Sequence, residues 1–430
     1  MKKPIDQCCG HKRFIRFVFH ALLVLFIFAT DLTFADLAYV SSSSNIAVID
    51  TSTNNIIATI PTGNDSRGVA ITPNGKFVYT TVLVQNNVLV IDTLTNEVIA
   101  TIGVGMDPSW IAITPDGLSA YTTNFGSSSI SVIDILSNTV TATIPVPAAS
   151  NPFGVAITPD GQLSYVVLRA LNAVIAIDTT TNTVTATIQS GIGTFPNHIA
   201  ISPDGQTAYV TNNNSSTTSV IDLSTNTVSA VVSVGTLPMG LALTPNGQFV
   251  YVANVFSSNL SIIETSTNTK FGTISLTAAS NTNNLAFTLD GNFGYVVNPN
   301  RNNIAVIETS SNTVLSTIGI PSPYAIAITS PPFPPSPPPF PPQSLKGYRE
   351  RNDFGIVYEL FNRIEWEIDP SGPRVAGFNV YRNDVKITTL SPFTLEYEDH
   401  NVKKGASYTY DVTTFDALGS ESIPSAITIR

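Results

Sequence analysis

Side chains able to do chemistry are few in this chain and far apart. Of four histidines and two cysteines, His11, His20, Cys8 and Cys9 lie at the extreme N-terminus, and His400 lies near the other end. His198 therefore stands alone across the long central region. One imidazole cannot build a two- or three-histidine metal centre, and a Ser-His-Asp arrangement cannot be assembled around it. No Cys-x-x-Cys-His haem attachment occurs. Carboxylates, by contrast, recur on a rule: Asp50, Asp92, Asp134, Asp178, Asp222, Glu264 and Glu308 are spaced 42, 42, 44, 44, 42 and 44 residues apart. A ring of acids could hold cations. Each one, however, precedes Thr/Ser-rich residues and an Asn, where a carboxylate accepts hydrogen bonds from turn backbone. A turn role is expected for all seven, and the same holds for the acids of the Pro-Asp-Gly turns. The sequence predicts no catalytic residue, no metal site and no cofactor.

The elements that carry these residues are short strands. Residues 198–232 read as four of them: Ile199–Ser202, Ala208–Thr211, Ser219–Asp222 and Val228–Val232, with Pro203-Asp204-Gly205 and Ser224-Thr225-Asn226 as turns. Apolar runs of about four to eight residues between turn signals mark buried strands. Gly and Asn tolerate the positive φ of tight hairpins. A four-stranded unit repeated at a period in the forties is the pattern of a β-propeller blade. Second strands carry Tyr39, Tyr79, Tyr121, Tyr165, Tyr209, Tyr251 and Tyr295, so there are seven. First strands are also seven, but out of phase: the series begins on a second strand, Leu37–Val40, and ends on a first strand, Ala325–Thr329. Pairing those two closes a ring of seven blades without a free inner edge.

The repeat varies most where the chain crosses between blades, just before each first strand. There stand Arg67 and Gly68, Ser109 and Trp110, Phe153 and Gly154, Asn197 and His198, Met239 and Gly240, Asn283 and Asn284, Tyr324 and Ala325. In a propeller this connection lies at one mouth of the central channel. Arg67, Trp110, Phe153, Asn197, His198, Met239, Asn283, Asn284 and Tyr324 are accordingly predicted to form a rim that takes a ligand, a protruding peptide or a sugar. The alternatives are drift at solvent-exposed loop positions and side chains that plug the channel. Leu83, Phe125, Arg169, Phe256 and Arg301, in the loops between second and third strands, extend the same face.

Tyr209-Val210-Thr211-Asn212, the Val-Ile-Asp-x-x-x-x-Asn-Thr-Val pattern and the Pro-Asp-Gly turn resemble the YVTN-repeat β-propellers, over residues 37–329. That resemblance implies a scaffold found in surface-layer, exported and envelope proteins, with no shared catalytic residue. Tyr79-Thr80-Thr81 and Tyr121-Thr122-Thr123 depart from it, as does Leu289 in place of the turn proline. Propellers that bind pyrroloquinoline quinone through tryptophan docking motifs are a poor fit, since Trp110 is the propeller's one tryptophan.

Charged residues make up 12% of the chain, about half the usual share. The net charge is −10; without residues 1–35 it becomes 15 basic against 28 acidic side chains, or −13. Such a balance argues against nucleic acid or anionic lipid as partners. Five cationic residues, the apolar run 17–30 and Thr33-Phe34-Ala35 make residues 1–35 a signal peptide. The run falls short of the roughly 20 residues that span a bilayer, so no membrane span is expected after cleavage; a retained anchor is the alternative. Cleavage at residue 35 would remove both cysteines.

Nine prolines fall within residues 330–342, so 330–343 is read as a semi-rigid polyproline spacer. Residues 344–430 alternate apolar and polar along several strands, as a β-sandwich does. Residues 402–408 (Val-Lys-Lys-Gly-Ala-Ser-Tyr), followed by Asp416-Ala417-Leu418-Gly419-Ser420, resemble the late strands of fibronectin type III domains. That resemblance makes Tyr408 the tyrosine-corner residue and Trp366 the core tryptophan.

The sequence thus predicts an all-β chain: signal peptide 1–35, a seven-bladed propeller at 36–329, a linker at 330–343 and a fibronectin type III-like sandwich at 344–430. The functional expectation is an exported, non-catalytic binding or scaffold protein of the cell envelope, periplasm or exterior, with a protein or glycan partner. A lactonase-like propeller hydrolase and a self-assembling surface-layer component are the alternatives.

Overall fold

Turn chemistry sets the blades. Ser202 Oγ donates to Asp204 Oδ1 (2.5 Å) and accepts the Thr207 N–H (3.0 Å), closing the turn around Gly205 at φ 71°. At the next turn, Asp222 Oδ1 accepts the Ser224 hydroxyl (2.6 Å) and the N–H groups of Ser224 and Thr225. These bonds, the Ser224 hydroxyl first, hold the Asp222 carboxyl below the usual range. The recurring acid is a turn residue.

The computed structural model describes residues 36–63, 65–276, 281–329, 340–353, 358–369, 375–415 and 421–430. The expected signal peptide, most of the proline tract and residues 416–420 lie outside them. Among the described residues, strands dominate, and no helix is long and apolar enough to cross a membrane.

Seven four-stranded antiparallel sheets follow one another. We number the blades 1 (66–103), 2 (108–145), 3 (152–188), 4 (196–233), 5 (238–275) and 6 (285–319). Blade 7 pairs Pro323–Thr329 with Leu37–Ser42, then Asn45–Asp50 and Asn55–Pro61. Its register sets Leu37 against Thr329 and Tyr39 against Ala327. Inner strands touch their neighbours all the way round, including blade 6 to blade 7 and blade 7 to blade 1, so the propeller is seven-bladed and closed.

Adjacent blades share their cores. Tyr121, Ile130 and Val132 of blade 2 pack with Val155, Val166 and Leu168 of blade 3, all buried. Burying each large side chain fully contributes about 1.5–3 kcal/mol. Second-strand tyrosines also stitch blade to blade. Tyr79 donates to Asn138 (2.6 Å), Tyr121 to Asn182 (2.7 Å), Tyr165 to Asn226 (2.8 Å) and Tyr209 to Asn268 (2.8 Å). Tyr251 donates to Asn312 and Tyr295 to Asn54, both at 2.6 Å. Each acceptor is the left-handed Asn of the turn between third and fourth strands. The seventh pair is different: Tyr39 Oη and Asn96 Oδ1 are both buried and both lack a partner.

The C-terminal module has two sheets. One orders Gln343–Asp353, Tyr358–Glu367 and Glu396–Asp399; the other orders Val385–Leu390, Gly377–Arg382, Tyr408–Phe415 and Ser425–Ile429. Ile364 and Trp366 of the first pack on Phe378, Val380, Tyr410 and Val412 of the second, making a sandwich. Tyr408 Oη accepts the Lys403 N–H (3.1 Å), five residues upstream.

Candidate functional site

The variable pairs lie within the first strands, with one exception, rather than ahead of them. Pro196–Ile201 holds Asn197 and His198, Pro108–Ile113 holds Trp110, and Ser66–Ile71 holds Arg67. Only Asn283 and Asn284 precede their strand, Leu285–Phe287. The reason is a bulge: Pro196 pairs with Asn212 and Ile199 with Val210, leaving one extra residue between. The second-strand Thr pins it. Thr211 Oγ1 accepts the His198 N–H (3.1 Å) and donates to Met239 O of the next blade (2.5 Å). Thr123 does the same with Trp110 N–H (3.1 Å) and Phe153 O (2.6 Å).

Space at the bulge is rationed around the ring. Its second residue is small in blades 1, 3, 5 and 7 (Gly68, Gly154, Gly240, Ala325) and large in blades 2, 4 and 6 (Trp110, His198, Asn284). A Cβ at Gly154 would stand 2.6 Å from Asn197 O and 2.8 Å from His198 Cα. Across that gap, the Trp110 and His198 rings meet edge to face at 4.2 Å. Phe153 adds a contact of 5.2 Å with His198 and one of 6.4 Å with Trp110, and Phe125 stands edge-on to Phe153. His198 is buried, and burial, helped by Arg169, lowers its pKa to about 3. The imidazole is therefore neutral at physiological pH.

Two guanidiniums border this cluster. Arg67 lies 4.2 Å over the Tyr324 ring and pairs with Asp65 at 2.5 Å. Burial opposes its charge, but Tyr324 and Asp65 raise the Arg67 pKa overall. Arg169, on the single turn Arg169–Leu171, sits between two phenyl rings, with Phe153 and Phe195 each 4.3 Å from Cζ. Burial lowers its pKa to about 10, with Tyr324 acting against that shift. Its Nε is buried without a partner, and among the described residues no carboxylate pairs with it.

The structure thus gathers Trp110, Phe153 and His198 into one cluster and Arg67 and Tyr324 into another. Asn283 Nδ2 donates to Tyr324 O (2.9 Å), and Asn284 Oδ1 accepts the Ile326 N–H (3.1 Å), so both amides serve the backbone. Met239 is half-buried and contributes its carbonyl. Asn197 is fully buried, and neither of its amide atoms has a partner. An open rim is not what these residues make: Phe153, Asn197, His198, Asn283 and Asn284 are buried. Sequence reasoning missed Phe195 and treated Arg169 as peripheral. The one signal available for Arg169 was a cation in a loop where other blades mostly carry neutral side chains. Among the described residues, no group of three or more His, Cys, Asp or Glu side chains is arranged to hold a metal ion.

Residues 105–318 match the model of the lactonase family, described as seven-bladed β-propellers. Solved structures share the fold. A functionally unknown protein from Desulfotomaculum acetoxidans is 22% identical over 69% of this chain and all of its own, with a TM-score of 0.61. A putative 6-phosphogluconolactonase from Bacteroides fragilis is 17% identical over 69% of this chain and 99% of its own, at 0.58. Hydrazine synthase from Kuenenia stuttgartiensis is 19% identical over 62% and 95%, at 0.56. Among curated proteins, exoglucanase B of Cellulomonas fimi is 35% identical over 72 residues, which are 17% of this chain and 6% of that relative's length. The lactonase match corrects two expectations from sequence: the chain is not read as a non-catalytic scaffold, and "no enzyme" does not stand. The sequence hid this, because the aromatic and cationic side chains of the two clusters come from five blades and share no local motif. What the comparisons carry is a seven-bladed β-propeller matched, from blade 2 to blade 6, by a family of lactonases.

Proposed function

We propose that this propeller is a hydrolase of the lactonase type, acting on a lactone with an anionic group at the channel mouth. The observation that carries the proposal is Arg169: a desolvated guanidinium packed against two phenyl rings, its Nε unpartnered and, among the described residues, no carboxylate paired with it. Such a group is stabilised by an anion or a developing oxyanion at its edge. In the proposed reaction water adds to the lactone carbonyl carbon, the ring C–O bond breaks, and the proton passes to the freed ring oxygen. Arg169 and Arg67 polarise the carbonyl and hold the negative charge. Tyr324, within electrostatic range of both guanidiniums, is the hydroxyl placed to pass the proton. His198, neutral and wedged against Trp110 and Phe153, positions the cluster.

Proton release in a pH-stat tests this with neutral, carboxylated and phosphorylated lactones. Turnover of an anionic lactone by the wild type, and a loss of about 10²–10³-fold in Arg169→Met, is the expected result. No lactone hydrolysed above its spontaneous rate would overturn the reading.

The same proposal takes the C-terminal sandwich as fibronectin type III-like, joined through the proline-rich stretch to a YVTN-type propeller. The three-plus-four strand arrangement and the Tyr408 bond to Lys403 support it. Export by an N-terminal signal at 1–35 belongs to the proposal as well. The cationic residues and apolar run of that segment support it.

A further inference from the structure

One first-strand amide is released from the bond that its counterpart makes. In blade 6, Asn283 Nδ2 donates to Tyr324 O of the next blade (2.9 Å). Asn197 holds the same position in blade 4, where the equivalent carbonyl is Met239 O. That carbonyl is already taken, by Thr211 Oγ1 at 2.5 Å. Blade 6 has Val297, without a hydroxyl, in place of Thr211, so there the amide does the bonding. Asn197 is left over: it is fully buried, and neither Nδ2 nor Oδ1 has a partner. Among the described residues it is the one side chain with two such atoms. An unpaired buried polar group costs about 1–3 kcal/mol, which an apolar residue of the same size would avoid. The repeat also places Asn197 beside Arg169. Phe153, at the Asn197 position of blade 3, stands edge-on to Phe125, which follows the second strand of blade 2, at 6.4 Å. Arg169 follows the second strand of blade 3. Asn197 therefore stands to Arg169 as Phe153 stands to Phe125. Its own segment agrees, since the ring of Phe195, two residues earlier, lies 4.3 Å from Arg169 Cζ.

We propose that Asn197 is a catalytic residue of the lactone hydrolysis, bridging the two oxygens that meet on the reacting carbon. The inference rests on the reading that this hydrolysis takes place at Arg169. As the water oxygen bonds to the lactone carbonyl carbon, a water O–H donates to Asn197 Oδ1. Nδ2 meanwhile donates to the carbonyl oxygen, which takes up the C=O π electrons as negative charge and shares that charge with Arg169. An amide suits the task because its O and N sit on one carbon, as do the new hydroxyl and the oxyanion of the intermediate. The charge then re-forms the C=O bond, the ring C–O bond breaks, and the proton from the added water passes to the freed ring oxygen. Both contacts exist together only once water has added, so the amide acts on kcat rather than on KM.

Steady-state kinetics of the full chain test this, on whichever of the neutral, carboxylated and phosphorylated lactones the wild type turns over fastest. Wild type is set beside Asn197→Leu, with calorimetry on both and on Asn283→Leu. The expected result for Asn197→Leu is a kcat lowered about 100-fold, an unchanged KM and a thermal midpoint that holds or rises. Asn283→Leu should lower the midpoint, because it removes a bond that is made. Wild-type kcat in Asn197→Leu overturns the proposal and leaves the lactonase reading standing, whereas a wild type that hydrolyses no lactone removes both. A midpoint that falls as far as in Asn283→Leu also overturns it, since the amide then serves the scaffold. Should Asn197→Leu fail to fold, Asn197→Asp decides, because it keeps the shape and sets a carboxylate where the oxyanion forms. Its kcat must fall about 100-fold as well, and undiminished turnover counts against the role.

Discussion

Replacing each second-strand tyrosine by phenylalanine should give six similar losses and one exception. In Tyr209→Phe the hydroxyl that donates to Asn268 Oδ1 at 2.8 Å disappears, and the part-buried amide oxygen loses its donor. Removing one partner of such a bond costs about 1–3 kcal/mol, most of it the desolvation of the group left behind. For a domain of this size that is a fall in Tm of about 2–4 °C per kcal/mol or somewhat less. Tyr39→Phe removes a buried hydroxyl that has no hydrogen-bond partner, and the Asn96 oxygen of the equivalent turn has none either. Its deletion takes away a desolvation cost without breaking a bond, so the midpoint should stay level or rise. Differential scanning calorimetry on the seven single variants measures this directly. If Tyr39→Phe loses as much as Tyr209→Phe, the blade 7 to blade 1 seam is bonded like the rest and the reasoning fails.

Other outcomes follow from the channel. Arg169→Met should raise the thermal midpoint while turnover falls, because a thioether packs against Phe153 and Phe195 without a buried unpartnered Nε; a lowered midpoint would contradict this. His198 has its pKa depressed from 6.5 to about 3, so the unfolded state binds a proton the native state refuses. Its contribution to stability is complete above pH 6.5 and is lost as pH falls towards 3, by an amount on the order of a few kcal/mol. His198→Asn should therefore flatten the decline of Tm between pH 6.5 and 4 relative to wild type. Gly154→Ala should lower the midpoint strongly, since its methyl meets backbone atoms of Asn197 and His198 rather than a movable side chain. An equal midpoint would mean that the neighbouring strands can part.

The fold was legible because it is written seven times. Hairpin turns such as 203–205 recur in blades 1 to 6, and an acid at the end of the third strand accepts hydrogen bonds from the turn that follows it, as Asp222 and Asp178 do, so one reading serves most of the ring. Even the closure between Leu37–Ser42 and Pro323–Thr329 could be inferred, because an incomplete repeat at each end has only one complement. The candidate site was half legible. Non-repeating residues pointed to the first-strand bulges, yet whether a side chain faces solvent or its opposite number depends on a one-residue bulge and on which neighbours are glycine. Trp110 and His198 meet because Gly154 lies between them, and spacing along the chain does not announce that. Arg169 escaped notice for a related reason: its aromatic clamp takes Phe153 from its own blade and Phe195 from the next.

The register of blade 7 also decides how the ring bears load. Leu37 and Thr329, where the propeller's chain enters and leaves, are partners at the same end of one antiparallel pair. Tension applied through the segments on either side would pull those two residues apart across the ladder. The hydrogen bonds would then break one after another, as in a zipper, instead of sharing the force in shear. Blade 7 is thus the propeller's mechanical fuse, yielding first under force although it completes a closed ring at rest.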